Sequence, residues 1–506
     1  MIKKVPKKSE HGQAIILIAA ALIGLVAIVG LMTDGGILLI EYARLKRGID
    51  AASIAAAQQF RRNFTSSDLE NAARNFLVLN QSNVKEVHIY TCNYPDTEWD
   101  DTLCTDPISK LVRVTASADV NFGFMRVLGF DHTTITATSV GEAASIDLVL
   151  IMDTSLSMSY GTSGDPTNGN DAGDDPHVCN ANNTCQPLKN IKTVAQSFID
   201  TFLFFPYDRV AIVTMTDQLQ GGSRTPTLTL PLSDDYATVY PAVGNLKVFE
   251  PPTCVIDPAT PGKWLSPPKG PCLNYAPDGT FLGTEAPRWR GGMDLDINTL
   301  GDNDNDFTTI PSSNVGGTFV QANAALTGTG APSRDDAFWV VIALISGPAN
   351  ATDMVPGYPD GICPSSTWNS PPRCRDSDLD PDGVTPLITR HDNTSTLYDA
   401  DDYARDMADF IADPVDGNGI VIFTIGLGTA AGLPNSVRNS PVGLNVSGEN
   451  LLRYAAESAG DTIDPLTGTV TVQANHGFYA YAEDPTLDLG PIFGKIAQNI
   501  FTRITQ

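Results

Sequence analysis

Histidine and positive charge are both scarce in this sequence. The six histidines, at 11, 88, 132, 177, 391 and 476, are scattered without the close pairing that catalytic or metal-binding imidazoles need. No G-x-S-x-G, H-E-x-x-H or G-x-x-x-x-G-K-[ST] occurs, so hydrolase, zincin and P-loop chemistry lack their signatures, and no catalytic role is expected. Against 58 acidic residues stand only 32 Lys and Arg, a net charge of −26. The first 62 residues hold nine basic and four acidic side chains, a surplus of +5 that leaves −31 on the rest. So acidic a body repels nucleic acid and anionic lipid and favours cations or basic partners. Its 42% apolar content suffices for real cores, and 506 residues imply about three domains.

Cysteine is present in eight copies, at 92, 104, 179, 185, 254, 272, 363 and 374, which fall into four close pairs. An even number in loop-like sequence suggests disulfides in an oxidising compartment, with neighbour pairing the simplest arrangement. His177-x-Cys179 with Cys185 hints instead at zinc, but a fourth ligand is missing.

Lys3, Lys4, Lys7 and Lys8 precede an uncharged run, Ala14–Met32, of nineteen residues. That is just enough to cross a hydrocarbon core of about 30 Å. Lysines before the run and none close after it place the N-terminus in the cytoplasm and the bulk outside. A cleavable signal peptide shares the positive start. The run exceeds the usual signal core and has no small-residue cleavage site at its end, so a retained single-pass anchor is expected.

Past Asp34-Gly35-Gly36, Ile37–Phe60 stays helical in character, with Leu38, Tyr42, Leu45, Ile49, Ala52 and Ala56 forming one stripe. Gly12-Gln13-Ala14, the apolar run, Asp34-Gly35-Gly36, Arg44-Leu45 and Asp50-Ala51-Ala52 through Ala57 together resemble the N-terminal segment of TadE/TadG-like proteins of Tad/Flp pilus assembly. Residues 63–145 form a small α+β module: Ser67 caps a helix to about Leu79, and Val84–Tyr90, Leu111–Val120 and Thr133–Val140 alternate as strands. The resemblance implies a pilin-like head here. Ser139–Ser145 is small and polar, as a linker would be.

Ile146–Met152 is a near-continuous apolar run, as in a parallel strand buried on both faces. Asp153, Ser155 and Ser157 follow it in a D-x-S-x-S spacing, at the strand end where open α/β sheets place their ligand sites. One carboxylate with two hydroxyls is a hard oxygen set, suited to Mg²⁺, Mn²⁺ or Ca²⁺. The pattern resembles the metal-ion-dependent adhesion site of von Willebrand factor type A (VWA) domains. That resemblance implies a doubly wound, mostly parallel α/β sheet over 146–506, with inserts at about 159–184, 247–313 and 350–396. It also implies a third hydroxyl from Thr318, which follows Gly316-Gly317. At the end of Phe338–Ile345 the family usually carries T-D-G, whose Asp is the second carboxylate. This chain has Ser346-Gly347, which leaves the shell one charge short, with Asp353 as a substitute from nearby.

Two acidic stretches, Asp294–Asp306 and Asp378–Asp382, are candidate structural Ca²⁺ loops. The second starts like an EF-hand but has Thr389 in place of the bidentate Glu. Taken together, these features predict a membrane-anchored extracytoplasmic protein of Tad/Flp-type pilus assembly or surface adhesion. A divalent cation on Asp153, Ser155, Ser157 and Thr318 would capture an acidic side chain of a protein partner. Two alternatives stay open: a metal-free structural scaffold, or a secreted calcium-stabilised adhesin.

Overall fold

The computed structural model describes residues 11–60, 65–80, 83–92, 98–164, 171–216, 225–256, 264–266, 272–285, 313–328, 334, 337–347, 349, 353, 400–428, 448–463, 470–471 and 475–504. Cys363, Cys374, Asp294–Asp306, Asp378–Asp382 and Thr389 lie outside these residues. The chain divides into two compact units, Met1–Ala144 and Ser145–Gln506. Stalk and module, expected as separate segments, thus belong to one unit.

In the first unit, α1 (His11–Ala57) runs 47 residues without a break at Gly35-Gly36. α2 is Ser66–Asn80, and four strands follow: β1 (Val84–Thr91), the two-residue β2 (Glu98–Trp99), β3 (Lys110–Asn121) and β4 (His132–Ala143), in sheet order β2-β1-β3-β4. α1 is apolar enough to cross a membrane over its first half, where Ile15 to Val29, Leu31 and Met32 lie open on the surface. Its second half packs on β3, β4 and α2. Leu45, Ile49, Ala52 and Ala56 of the expected stripe are fully buried there, whereas Tyr42 is exposed. α2 is capped from Thr65, whose N–H and hydroxyl both donate to Asp68 at 2.8 Å, not from Ser67.

The expected linker at 139–145 is largely strand. β4 pairs with β3 in unbroken antiparallel register from His132↔Asn121 to Ala143↔Lys110. Its small residues serve packing: a Cβ on Gly141 would sit 2.2 Å from the backbone carbon of Ser53, so only glycine lets the helix this close. Around that contact Ser139 donates to Asp50 at 2.6 Å, and Lys46 bridges Asp50 and the Thr138 carbonyl.

The second unit is a six-stranded sheet with helices on both faces. In chain order it contains β5 (Ile146–Met152), α3 (Pro176–Asn182), α4 (Leu188–Phe202), β6 (Arg209–Thr214), β7 (Thr227–Ser233), α5 (Tyr236–Gly244), β8 (Val255–Ile256), β9 (Trp264–Ser266), β10 (Cys272–Tyr275), β11 (Phe281–Glu285), α6 (Val315–Thr327), β12 (Phe338–Ile345), α7 (Ala400–Ala412), β13 (Val421–Leu427), α8 (Gly448–Glu457), β14 (Thr462–Ile463), β15 (Val470–Thr471), β16 (Tyr479–Ala482) and α9 (Pro485–Ile504). The sheet order is β16-β13-β12-β5-β6-β7. All neighbours are parallel except β7, an antiparallel edge that tolerates Pro231 because it lies at the border. The insert at 247–313 carries a hairpin, β10 with β11. Likewise the first insert carries α3.

Alternation along β5 assigns the two faces. Ile146, Leu148, Leu150 and Met152 face one core with α4, α5 and α9; Val149 and Ile151 face a second with α6, α7 and α8. Disulfides join Cys92–Cys104, Cys179–Cys185 and Cys254–Cys272. Neighbour pairing therefore holds for these six. It also removes Cys179 and Cys185 as zinc ligands, and His177 Nδ1 is 2.6 Å from Glu250 Oε1 instead.

Candidate functional site

β5 and β12 are adjacent in the centre of the sheet, and their carboxyl ends open side by side. Asp153 follows β5 directly, its N–H still donating to the Leu344 carbonyl of β12 at 3.0 Å. Beyond it Leu156 and Met158 sink into the core within a 3₁₀ turn, which turns Ser155 and Ser157 the other way. The D-x-S-x-S spacing is thus a local alternation: apolar residues anchor the loop and polar ones face the site. Flanking bonds clamp it, with the Thr154 and Thr216 hydroxyls 2.8 Å apart and the Phe249 N–H donating to the Thr154 carbonyl at 2.7 Å.

Asp153 is buried, and both its oxygens are engaged. Oδ1 accepts from the Ser155 N–H at 2.8 Å; Oδ2 accepts from the Ser346 N–H at 2.7 Å and the Ser346 hydroxyl at 2.6 Å. Ser157 Oγ lies 3.0 Å from both Ser155 Oγ and Ser346 Oγ. The three hydroxyls therefore form a chain in which Ser155 donates to Ser157, Ser157 to Ser346 and Ser346 to the carboxylate. Every proton in this order has an acceptor, and the chain ends on the charge, where a hydrogen bond is strongest. Ser346 is the residue that the motif alone does not point to. At the carboxyl end of β12 it presents a donor, not a second carboxylate, to Asp153.

Thr318 stands in the first turn of α6, fully buried, with its hydroxyl donating to the Val315 carbonyl at 2.6 Å. The bond uses its proton and leaves its lone pairs to accept or ligate. Asn314 caps the helix, accepting from the Gly317 N–H at 2.8 Å. Asp353 closes this corner: it accepts from Asn314 Nδ2 at 2.9 Å and from the Tyr403 hydroxyl. A Cβ on Gly317 would sit 2.3 Å from Asp353 Oδ1, so glycine admits the carboxylate here. Asp353 is thus tied to the start of α6, not presented as a free replacement ligand.

Does this set suit a hard divalent cation? In kind it does, with one carboxylate and several hydroxyl oxygens. Two ligands at right angles about Mg²⁺ are separated by about 3.0 Å, and Ser155 Oγ and Ser157 Oγ are 3.0 Å apart. In charge it falls one short. Among the described residues no three His, Cys, Asp or Glu side chains converge to hold a metal by themselves.

No family model and no curated protein matches the chain. It is similar in structure to pilus proteins. One is the PilB minor pilin from Streptococcus sanguinis, 11% identical over 83% of this chain and 79% of that one, with a TM-score of 0.34. Another is the vWF domain of the type V pili tip protein Mfa5 from Porphyromonas gingivalis, 13% identical over 72% and 97%, with a TM-score of 0.33. A third neighbour is proximal thread matrix protein 1 from the mussel byssus with a zinc-occupied MIDAS motif; at a TM-score of 0.25 it is 11% identical over 64% of this chain and 50% of that one.

Proposed function

We propose that the chain is a membrane-anchored extracytoplasmic protein of pilus assembly or surface adhesion, in which a TadG-like first unit carries a VWA-type second unit that binds a protein partner. The observation that carries this reading is the convergence of Asp153, Ser155, Ser157 and Ser346 at the carboxyl ends of β5 and β12. A strand end lined with hard oxygen donors is suited to a cation-bridged contact. Asp153, Ser155, Ser157 and Thr318 would hold the ion, and the ion would supply an electrophilic contact for an acidic side chain of the partner. Asp153 itself keeps one lone pair on Oδ1 free of the bonds described.

A single carboxylate sets the expected strength. Affinity follows the number of charged ligands, which places half-saturation on the order of 10⁻⁴–10⁻³ M. The test is calorimetric titration of Mg²⁺, Mn²⁺ and Ca²⁺ into the full chain in detergent, beside Asp153→Ala. Saturable binding that disappears in the variant supports the reading. Binding that survives Asp153→Ala moves the ion to other acidic segments and refutes the assignment.

The serine chain favours a second reading, because it satisfies Asp153 without any ion. In that version the face binds its partner by hydrogen bonds, and the second unit acts as a scaffold. Partner capture that is unchanged by chelator yet weakened by Ser157→Ala distinguishes it from the first.

A further inference from the structure

The turn between β3 and β4 carries a second surface that the strand-end site does not use. Phe122–Asp131 presents Phe124, Val127, Leu128 and Phe130 to solvent, with 85% of Val127 and 73% of Leu128 exposed. Four large apolar side chains on one short turn are too many to be incidental surface. The turn is fixed to α1 at a definite height. Asp34 accepts from the N–H groups of Gly123 at 2.8 Å, Phe124 at 3.0 Å and Met125 at 2.6 Å. One helical turn lower, Gly30 lies directly beneath the Phe124 ring.

That height coincides with the end of the apolar run. Nineteen residues from Ala14 to Met32 rise about 28 Å, close to the hydrocarbon thickness of a bilayer. Gly30–Asp34 therefore falls at its outer boundary. The polar groups at this level are satisfied: Asp34 is buried and accepts from three amide donors, and Arg126 Nε lies 3.2 Å from Asp131 Oδ1 within the turn itself. Thr33 returns its hydroxyl to the Val29 carbonyl at 2.8 Å. An apolar tip with paired charges, continuous with the exposed apolar face of α1, is built to meet lipid.

We propose that Phe122–Asp131 dips its tip into the interfacial layer of the bilayer that α1 crosses, so that Asp34 locks helix and tip into one two-point anchor. This rests on α1 being a membrane span. The tip sets the depth and tilt of α1 and holds the sheet against the membrane. The partner is the zwitterionic headgroup and upper acyl region, since the tip offers no net charge to an anionic surface.

The test uses the full chain in phosphatidylcholine vesicles. Leu128→Cys and Val127→Cys, both on exposed side chains outside the core, are labelled with an environment-sensitive fluorophore; Leu22→Cys serves as the span reference and unlabelled wild type as the thiol control. Nitroxides are placed on lipid acyl chains at a shallow or a deep position. The expected result is that the label at 22 is quenched by the deep nitroxide, while those at 127 and 128 lose most of their emission to the shallow one and resist aqueous iodide. Quenching at 22 without quenching at 127 and 128 overturns the proposal, whether those labels are open to iodide or shielded by protein. Absence of quenching at 22 overturns the span itself, and the tip with it.

Discussion

The exchange of one carboxylate for one hydroxyl decides how the site behaves. With Asp at 346, two like charges would share the space where Ser346 now donates at 2.6 Å to Asp153; such a pair favours either a cation or a retained proton. Ser346→Asp is therefore expected to raise Mg²⁺ affinity by about tenfold or more, and to cost about 1–3 kcal/mol of stability in chelator that Mg²⁺ restores. Calorimetry for affinity and thermal unfolding with and without Mg²⁺ check both halves. A variant that is no tighter for metal would leave the serine chain as the finished form of the site. Six residues back along β5, about 20 Å away, Asp147 shows the other use of a buried carboxylate. It accepts from Arg209 Nε at 2.9 Å and from Arg334, whose Nη1 donates to the Tyr207 carbonyl at 2.7 Å. Asp147→Ala leaves two buried guanidinium groups without their carboxylate and is expected to cost about 3–5 kcal/mol, measured by denaturant unfolding. Lys192 reports burial through pH. Its Nζ is held by Asn183 Oδ1 and the Leu246 carbonyl, and burial, helped by the nearby Lys189, pulls its pKa from 10.5 down to about 8. Between those values the unfolded chain binds the extra proton, so stability rises with pH from about 8 to 10, with a slope no steeper than about 1.4 kcal/mol per pH unit. Lys192→Met should flatten that slope in denaturant titrations at successive pH values.

At the scale of elements, what the sequence made legible is what local pattern controls. Ile146–Met152 and Phe338–Ile345 announce themselves as doubly buried strands because nearly every residue is apolar, and both lie at the centre of the sheet. The order Asp153, Ser155, Ser157 is equally local, since Leu156 and Met158 supply the alternation. What local pattern does not carry is who lies across. Ser139–Ala143 has a linker's composition because α1 passes over it, and Tyr42 fits a helical stripe yet faces away from the packing surface. Ser346 looks like a lost ligand in one dimension; only the adjacency of β5 and β12 shows it donating to Asp153. Asp34 is similar: in the sequence it is one piece of a Tad-like segment, whereas its carboxylate is occupied 89 residues away. The close approach at Gly141 makes a direct element-scale prediction. Gly141→Val forces a side chain into the Ser53 backbone, which cannot rotate aside, and is expected to cost about 3 kcal/mol in the first unit.

Across the whole molecule, each unit has its own core and its own staples. The first buries Leu45, Ile49, Leu69 and Leu77 under the β1–β4 sheet and holds Cys92–Cys104; the second buries two cores around β5 and holds Cys179–Cys185 and Cys254–Cys272. Two units of unequal size predict two cooperative transitions in calorimetry of the full chain in detergent, not one. The substitutions above label them: Gly141→Val should lower only one transition, and Asp147→Ala only the other. A divalent cation acting at Asp153 binds the folded second unit and not its unfolded chain, so it should raise the same transition that Asp147→Ala lowers. The shift should vanish in Asp153→Ala and grow in Ser346→Asp. A cation that moved the Gly141→Val transition instead, or both equally, would place its action away from the strand-end site. A single transition displaced by either substitution would show that the two units fold as one, and that a partner bound to the second could act on the anchor through the fold itself.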